Sequence, residues 1–258
     1  LWSGNYAALV DPEAIAADPD PQGGPDYLAR LRPTLVDLLS SDLTAIERAE
    51  AGRSLALLGD PRPEVMTVEG MRFAFVPAGP FRMGSDKAND PQLYQHEEPA
   101  HTLELPDYWV GVHTVTNAQF EAFIADEGYG EAMYWPEAIA AEYWKDGRFK
   151  GRWDDEPRIG PERFHGSFDL ANHPVVGISW YEALAFTRWL NRVCGAQLPD
   201  GMAFGLPSEA EWEKAARGGL GIPASLSTRA LQEGLARTPV ADPVQNPLPE
   251  RRYLWGDD

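Results

Sequence analysis

The chain has 258 residues, an apolar content of 43% and a formal net charge of −18. That length can bury a full core, while the acidic balance argues against nucleic-acid and anionic-membrane partners, which need clustered Lys and Arg. No run reaches the roughly 18 apolar residues of a membrane span, and one cysteine excludes an internal disulfide and fits a reducing, cytoplasmic setting.

Residues 1–25 are rich in Asp, Pro and Gly and read as an irregular arm; the start, Leu1-Trp2-Ser3-Gly4, has no Met and no secretory leader, as in a segment of a longer product. From Asp26 the pattern turns helical, with Tyr27, Leu28, Leu31, Leu35, Leu38 and Leu39 near one face and Pro33 as an interruption or kink. A second helix runs from about Leu43 to Leu58, opened by a Thr44/Glu47 capping box and stopped by Gly59-Asp60-Pro61. The two form an αα-hairpin that cannot bury both faces alone.

Met66-Thr67-Val68 and Phe73 to Val76 alternate like strands, and Phe81 to Ser85, His101 to Leu105 and Tyr108 to Val110 follow as further short strands. Asp86 to Pro99 is polar and reads as a loop. Thr116 and Gln119 open a helix with Phe120, Phe123 and Ile124 inward, ended by Gly128-Tyr129-Gly130. Residues 131–171 form a long segment carrying Trp135, Trp144 and Trp153, longer than an ordinary connection. Ser179/Glu182 and Ser208/Glu211 are two more capping boxes, the first opening a helix to about Val193 and the second one closed by Gly218-Gly219. A short helix is expected near Thr228 to Gly234, and no internal repeat is present.

Several blocks together resemble the formylglycine-generating enzyme (sulfatase-modifying factor) family. Phe75-Val76-Pro77-Ala78-Gly79-Pro80-Phe81-Arg82-Met83-Gly84-Ser85 is similar to its opening strand motif, and Glu98-Pro99-Ala100-His101 with Val115-Thr116-Asn117-Ala118-Gln119-Phe120 to its next block. His173-Pro174-Val175-Val176-Gly177-Ile178-Ser179-Trp180-Tyr181-Glu182-Ala183, Leu206 to Gly219, and Trp255-Gly256-Asp257 match the blocks that follow, in the family's order. The resemblance implies an α+β, C-type-lectin-like fold, loop-rich, over residues 64–258, preceded by residues 1–63 as arm plus helical hairpin.

Relatives on this fold include copper-dependent oxidases that convert a substrate Cys to formylglycine, iron-dependent sulfoxide synthases, non-catalytic domains of bacterial signalling and conflict proteins, and variable proteins of diversity-generating retroelements. The family's catalytic Cys pair and usual calcium ligands follow the Trp-Gly-Asp block, past Asp258, so copper or calcium is implied only through residues beyond it. The expected function is a non-catalytic module binding a protein or small-molecule ligand; the alternative is part of a copper-dependent oxidase.

Within the chain, Cys194 lacks the second thiolate that would share Cu(I) and reads as a small buried hydrophobe. His96 and His101 are five apart across Pro99, which no metalloprotease helix tolerates. His173 reads as a hydrogen-bonded framework residue, and Asp154-Asp155-Glu156 as a solvated acidic run rather than a calcium loop. Trp135, Trp144 and Trp153 either pin their segment to the core or line a ligand surface, where Trp255 would join them.

Overall fold

The computed structural model describes residues 1–251 other than 11, 21, 89 and 237–242; the Trp-Gly-Asp block, and Trp255 with it, lies outside the described residues. In chain order the helices are α1 (Trp2–Ala7), α2 (Pro12–Ala16), α3 (Gly24–Leu38), α4 (Ala45–Leu58), α5 (Pro63–Met66), α6 (Asn117–Ala125), α7 (Pro136–Ala140), α8 (Trp180–Cys194) and α9 (Glu209–Arg217). The strands are β1 (Arg72–Val76), β2 (Gly79–Met83), β3 (His101–Leu105), β4 (Tyr108–Gly111), β5 (Trp144–Lys145), β6 (Arg148–Phe149), β7 (Gly221–Ile222), β8 (Thr228–Ala230) and β9 (Val244–Gln245). Short strands, short helices and much irregular chain make the mixed α+β, loop-rich arrangement that the resemblance implies.

Two compact units emerge: Leu1–Gly70 with His113–Trp189, and Met71–Val112 with Leu190–Asp258. In the first, α1, α3 and α4 bury Ala7, Leu28, Leu31, Leu35, Ala51, Leu55 and Leu58 against one another, the leucine stripe read from the sequence. The arm expected to be irregular instead contains α1 and α2. Gly4 explains how α1 comes so close: a Cβ there would sit 2.5 Å from a methyl of Leu35. Helix α3 passes through Pro33 without ending. The expected strand at Met66 to Val68 is the end of α5 and a turn. Pro63 begins that helix, Thr67 Oγ1 donates back to the Pro63 carbonyl, and Gly70 N–H donates to the Thr67 hydroxyl. Two alternating apolar residues without a pairing partner do not make a strand.

The rest of this unit holds an aromatic core. Phe120 and Phe123 of α6, Tyr129, Tyr134, Trp135, Phe149, and Phe186 and Trp189 of α8 are all at most 4% exposed. Strands β5 and β6 form a hairpin around Asp146-Gly147, both at positive φ (50° and 79°), the turn that suits the twist of paired strands.

The second unit holds a three-stranded antiparallel sheet in the order β4-β1-β8 and a β2-β3 pair running from Gly79↔Leu105 to Met83↔His101. Thr228 to Gly234, expected as a helix, divides into β8 and a 3-10 turn at Leu231–Glu233. An edge pairing to β1 decides the conformation of Thr228 to Ala230 and has no local signal. The Ser208/Glu211 box caps α9, Gly218 ends it at φ 82°, and α9 is locked to β2's flanks. Lys214, 1% exposed, donates from Nζ to the carbonyls of Pro77 (2.8 Å) and Gly79 (2.9 Å), and burial holds its ammonium below the ordinary lysine value.

Candidate functional site

Two of the recognisable sequence blocks lie side by side in the first unit and build a cleft. Asn117 N–H donates to the His173 carbonyl (2.9 Å), Ala118 N–H to that of Ala171 (2.8 Å), and Val175 N–H to that of Val115 (2.9 Å). The Asn117 side-chain amide donates to the carbonyls of Phe168 (2.7 Å) and Leu170 (2.8 Å), which fixes the preceding loop over the start of α6. The same capping box reaches the other way: Thr116 Oγ1 donates to Val65, and the Gln119 amide to Glu64 and Thr67. Gly177 closes the far end. Its φ is +70°, a Cβ would lie 2.2 Å from the Glu162 carbonyl oxygen, and Glu162 N–H donates to its carbonyl at 2.8 Å. Only glycine admits this approach.

The resulting cleft, about 210 Å³, lies between α6 and residues 161–176. Phe120, Ile124, Val175, Val176, Phe164 and Phe168 supply its apolar lining. Phe164 and Phe168 meet edge to face with centroids 6.0 Å apart, and each stays about half exposed (52% and 54%). Around the lining stand three carboxylates, Glu121, Glu162 and Asp169, and one guanidinium, Arg163. Asp169 approaches His165 Nδ1 at 3.3 Å. Among the described residues, the carboxylates of Glu121 and Glu162 form no ion pair.

In the same unit, Glu182 is fully buried and does more than cap α8. Its Oε2 accepts from Ser179 N–H (2.7 Å) and from Arg158 Nη2 (2.7 Å), and its Oε1 accepts from Arg158 Nη1 and the Tyr129 hydroxyl. Burial, then the adjacent Glu182 carboxylate, pushes the Tyr129 phenol far above its ordinary value, so it remains a donor. Arg158 also pairs with Asp154 at 3.1 Å and lies over the Phe149 ring. This network ties the long irregular segment to α8. His173 is a framework residue: Nδ1 meets Asn172 Oδ1 at 2.8 Å, and the Asn172 amide donates to Asp60 (2.7 Å) and Gly52 (3.1 Å). Burial, aided by the Arg53 charge, holds its imidazole below the ordinary value.

The second unit carries a wider polar groove of about 610 Å³, bordered by Ser85, His96, His101, Glu209, Trp212 and Arg217. Glu213 accepts from Gly84 N–H at 2.8 Å and pairs with Arg217 at 2.8 Å, while Arg217 donates to the Gly84 carbonyl. These charges are spent on holding β2 to α9. His101 begins β3, as expected, and its Nδ1 lies 2.9 Å from the Pro99 carbonyl; His96 stacks on Tyr94.

The aromatic candidates are divided. Trp135 is 1% exposed in the core and donates from Nε1 to the Gly128 carbonyl (2.9 Å). Trp144 is half-buried, its Nε1 donating to the Tyr129 carbonyl (2.8 Å). Trp153 is 86% exposed, with the Arg152 guanidinium 5.0 Å from its ring. Trp255 lies outside the described residues. Of the residues that converge on the cleft, Asn117, Phe120, Ile124, Val175 and Val176 read in the sequence as helix face or family scaffold, and Glu121, Glu162, Phe164 and Phe168 were not singled out; the available signal was Phe164 and Phe168, four apart in an otherwise polar loop.

For the metals the resemblance raises, donor chemistry decides. Cu(I) favours paired thiolates, and the chain has one cysteine, Cys194, 4% exposed at the end of α8. These residues do not fit such an ion. Asp154 spends Oδ2 on Gly151 N–H (2.8 Å) and Arg158, and among the described residues no three His, Cys, Asp or Glu side chains converge as a metal set.

Comparison with known proteins finds a match to the sulfatase-modifying factor enzyme 1-like domain over residues 60–258. The chain is 32% identical over 146 residues to a hercynine oxygenase of Mycolicibacterium thermoresistibile, covering 53% of this chain and 28% of that one. It is 32% identical over 145 residues to a serine/threonine-protein kinase of Chlamydia trachomatis (56% and 19%). With the formylglycine-generating enzyme of Mus musculus it shares 30% identity over 184 residues (64% and 43%). The matches thus cover less than half of each of these three relatives.

Proposed function

Because the chain belongs to the sulfatase-modifying factor enzyme 1-like family and has its α+β, C-type-lectin-like fold, we propose that it works as a non-catalytic ligand-binding module whose binding face is the cleft between α6 and residues 161–176. The observation that carries this reading is the pair Phe164 and Phe168, held half in solvent at the mouth of an apolar pocket. Hydrophobic side chains scattered singly on a surface are ordinary. Two rings in edge-to-face contact beside a preformed pocket with convergent polar groups are the usual make-up of a recognition site. A volume near 210 Å³ suits one large side chain or a small ring, since a cavity of roughly 150 Å³ already takes benzene. The scaffold also occurs in relatives named as an oxygenase, a kinase and a formylglycine-generating enzyme, so family membership alone does not fix a chemistry.

A second reading, part of a copper-dependent oxidase acting on a substrate Cys, is favoured by the similarity to formylglycine-generating enzymes. One experiment separates the two. Immobilised chain is used to select from a displayed random peptide library, and the selected peptides are then incubated with the full gene product, Cu(I), dioxygen and a thiol reductant and weighed by mass spectrometry. Enriched peptides of unchanged mass, Cys-containing or not, are expected. Enrichment confined to Cys peptides, with conversion of the thiol to an aldehyde, would overturn the binding-module reading.

A further inference from the structure

We infer that the α6 cleft takes a large apolar side chain from a basic protein segment, the apolar group entering between Phe164, Phe168 and Val176 and flanking Lys or Arg residues meeting the rim. The inference rests on the binding-module reading and adds the chemistry of the ligand.

Shape supplies the first half. The apolar part of the lining is aliphatic and aromatic, and the cleft's volume of about 210 Å³ exceeds what a benzene ring needs. Burying a Leu, Ile or Phe side chain there strengthens binding roughly ten- to a hundredfold, a useful anchor and too little for tight binding by itself. The backbone carbonyls at this wall do not add to it. Those of Phe168 and Leu170 already accept from Asn117, and that of Gly177 from Glu162. The remaining affinity must come from side chains around the mouth.

Charge supplies the second half. The rim carries Glu121, Glu162 and Asp169 against Arg163. Asp169 is engaged by His165, whereas Glu121 and Glu162, both exposed, stand on opposite walls of the cleft, one on α6 and one on the facing loop. A segment lying along the cleft with its apolar residue inserted therefore passes between two carboxylates. Opposite charges at such positions steer association and set orientation, an effect that weakens with salt. The formal charge of −18 on the whole chain acts in the same direction at longer range. An acidic apolar segment would meet like charge on both walls, and a neutral one would forgo the steering.

The test uses the same displayed library, selected at low salt against the native chain and against two variants, Val176→Phe, which fills the pocket, and Glu121→Gln/Glu162→Gln, which neutralises both walls. Thermal melting verifies that each variant folds. Peptides enriched by the native chain should carry Leu, Ile, Phe or Trp with Lys or Arg within two or three positions. A synthesised member should bind at least tenfold more weakly to V176F. Binding to the double Gln variant should fall three- to tenfold, with a flatter salt dependence.

Enriched peptides that are acidic or lack apolar residues would overturn the inference while leaving the binding-module reading in place. So would basic apolar peptides whose affinity for both variants equals that for the native chain, which would put binding elsewhere on the molecule. Failure to enrich any peptide would remove the binding-module reading itself. If V176F fails to fold, the Phe164→Ser/Phe168→Ser variant replaces it, with the same tenfold loss expected.

Discussion

Glu182→Ala should lower stability by about 3–5 kcal/mol, the usual cost of removing one partner of a buried ion pair. The carboxylate is fully buried, and Arg158, with a side chain 19% exposed, would be left without its principal counter-charge. The Tyr129 hydroxyl and the Ser179 N–H would lose their acceptor as well. In a unit of this size the change corresponds to a fall in Tm on the order of 10 °C. Urea denaturation measures it directly. The physical signature is non-additivity: in Arg158→Met/Glu182→Leu much of the loss should be recovered, because replacing both charges by apolar groups removes the unpaired ion. A double variant as unstable as the sum of its singles would show that Glu182 acts only through the α8 cap.

Phe123→Ala is the second large effect, about 3–5 kcal/mol. The ring is fully buried and packs against Phe120, Tyr129, Tyr134, Trp135, Phe186 and Trp189 at centroid distances from 5.4 to 6.3 Å. Deleting it opens a cavity that so many rigid rings cannot collapse into, so the transfer and cavity costs add. Phe123→Leu should cost clearly less, by keeping most of the volume. Equal losses for the two substitutions, read from denaturation midpoints, would mean that ring geometry rather than volume is what the site requires.

Both predictions turn on residues whose neighbours the sequence only half discloses. The capping boxes at Thr44, Thr116, Ser179 and Ser208 were legible because each is a contact between residues three apart, and all four form. Phe123 was legible as an inward position of α6 through its spacing. Arg158 was not: it lies 24 residues from Glu182 in an irregular run of Asp, Gly and Pro, and only the fold brings them together. The same distinction separates α9, fixed by local signals, from β8, which exists through its pairing with β1. The cleft was hidden for a related reason. Its walls come from Asn117 to Ile124 and from residues 161–176, and the sequence blocks that join them read as family scaffold. In the fold, Asn117 and Gly177 do scaffold work, and that work positions Phe164, Phe168 and Val176. The tryptophans of the long segment were more conspicuous, yet Trp135 spends its ring on the core and its N–H on Gly128.

Hydrogen–deuterium exchange on the complex with a selected peptide bears most directly on the claim that this cleft is the binding face. Slowed exchange is expected in residues 117–124 and 161–177, with little change around the polar groove at Gly84, His96 and Arg217. Protection confined to that groove, with the α6 cleft unchanged, would contradict the assignment.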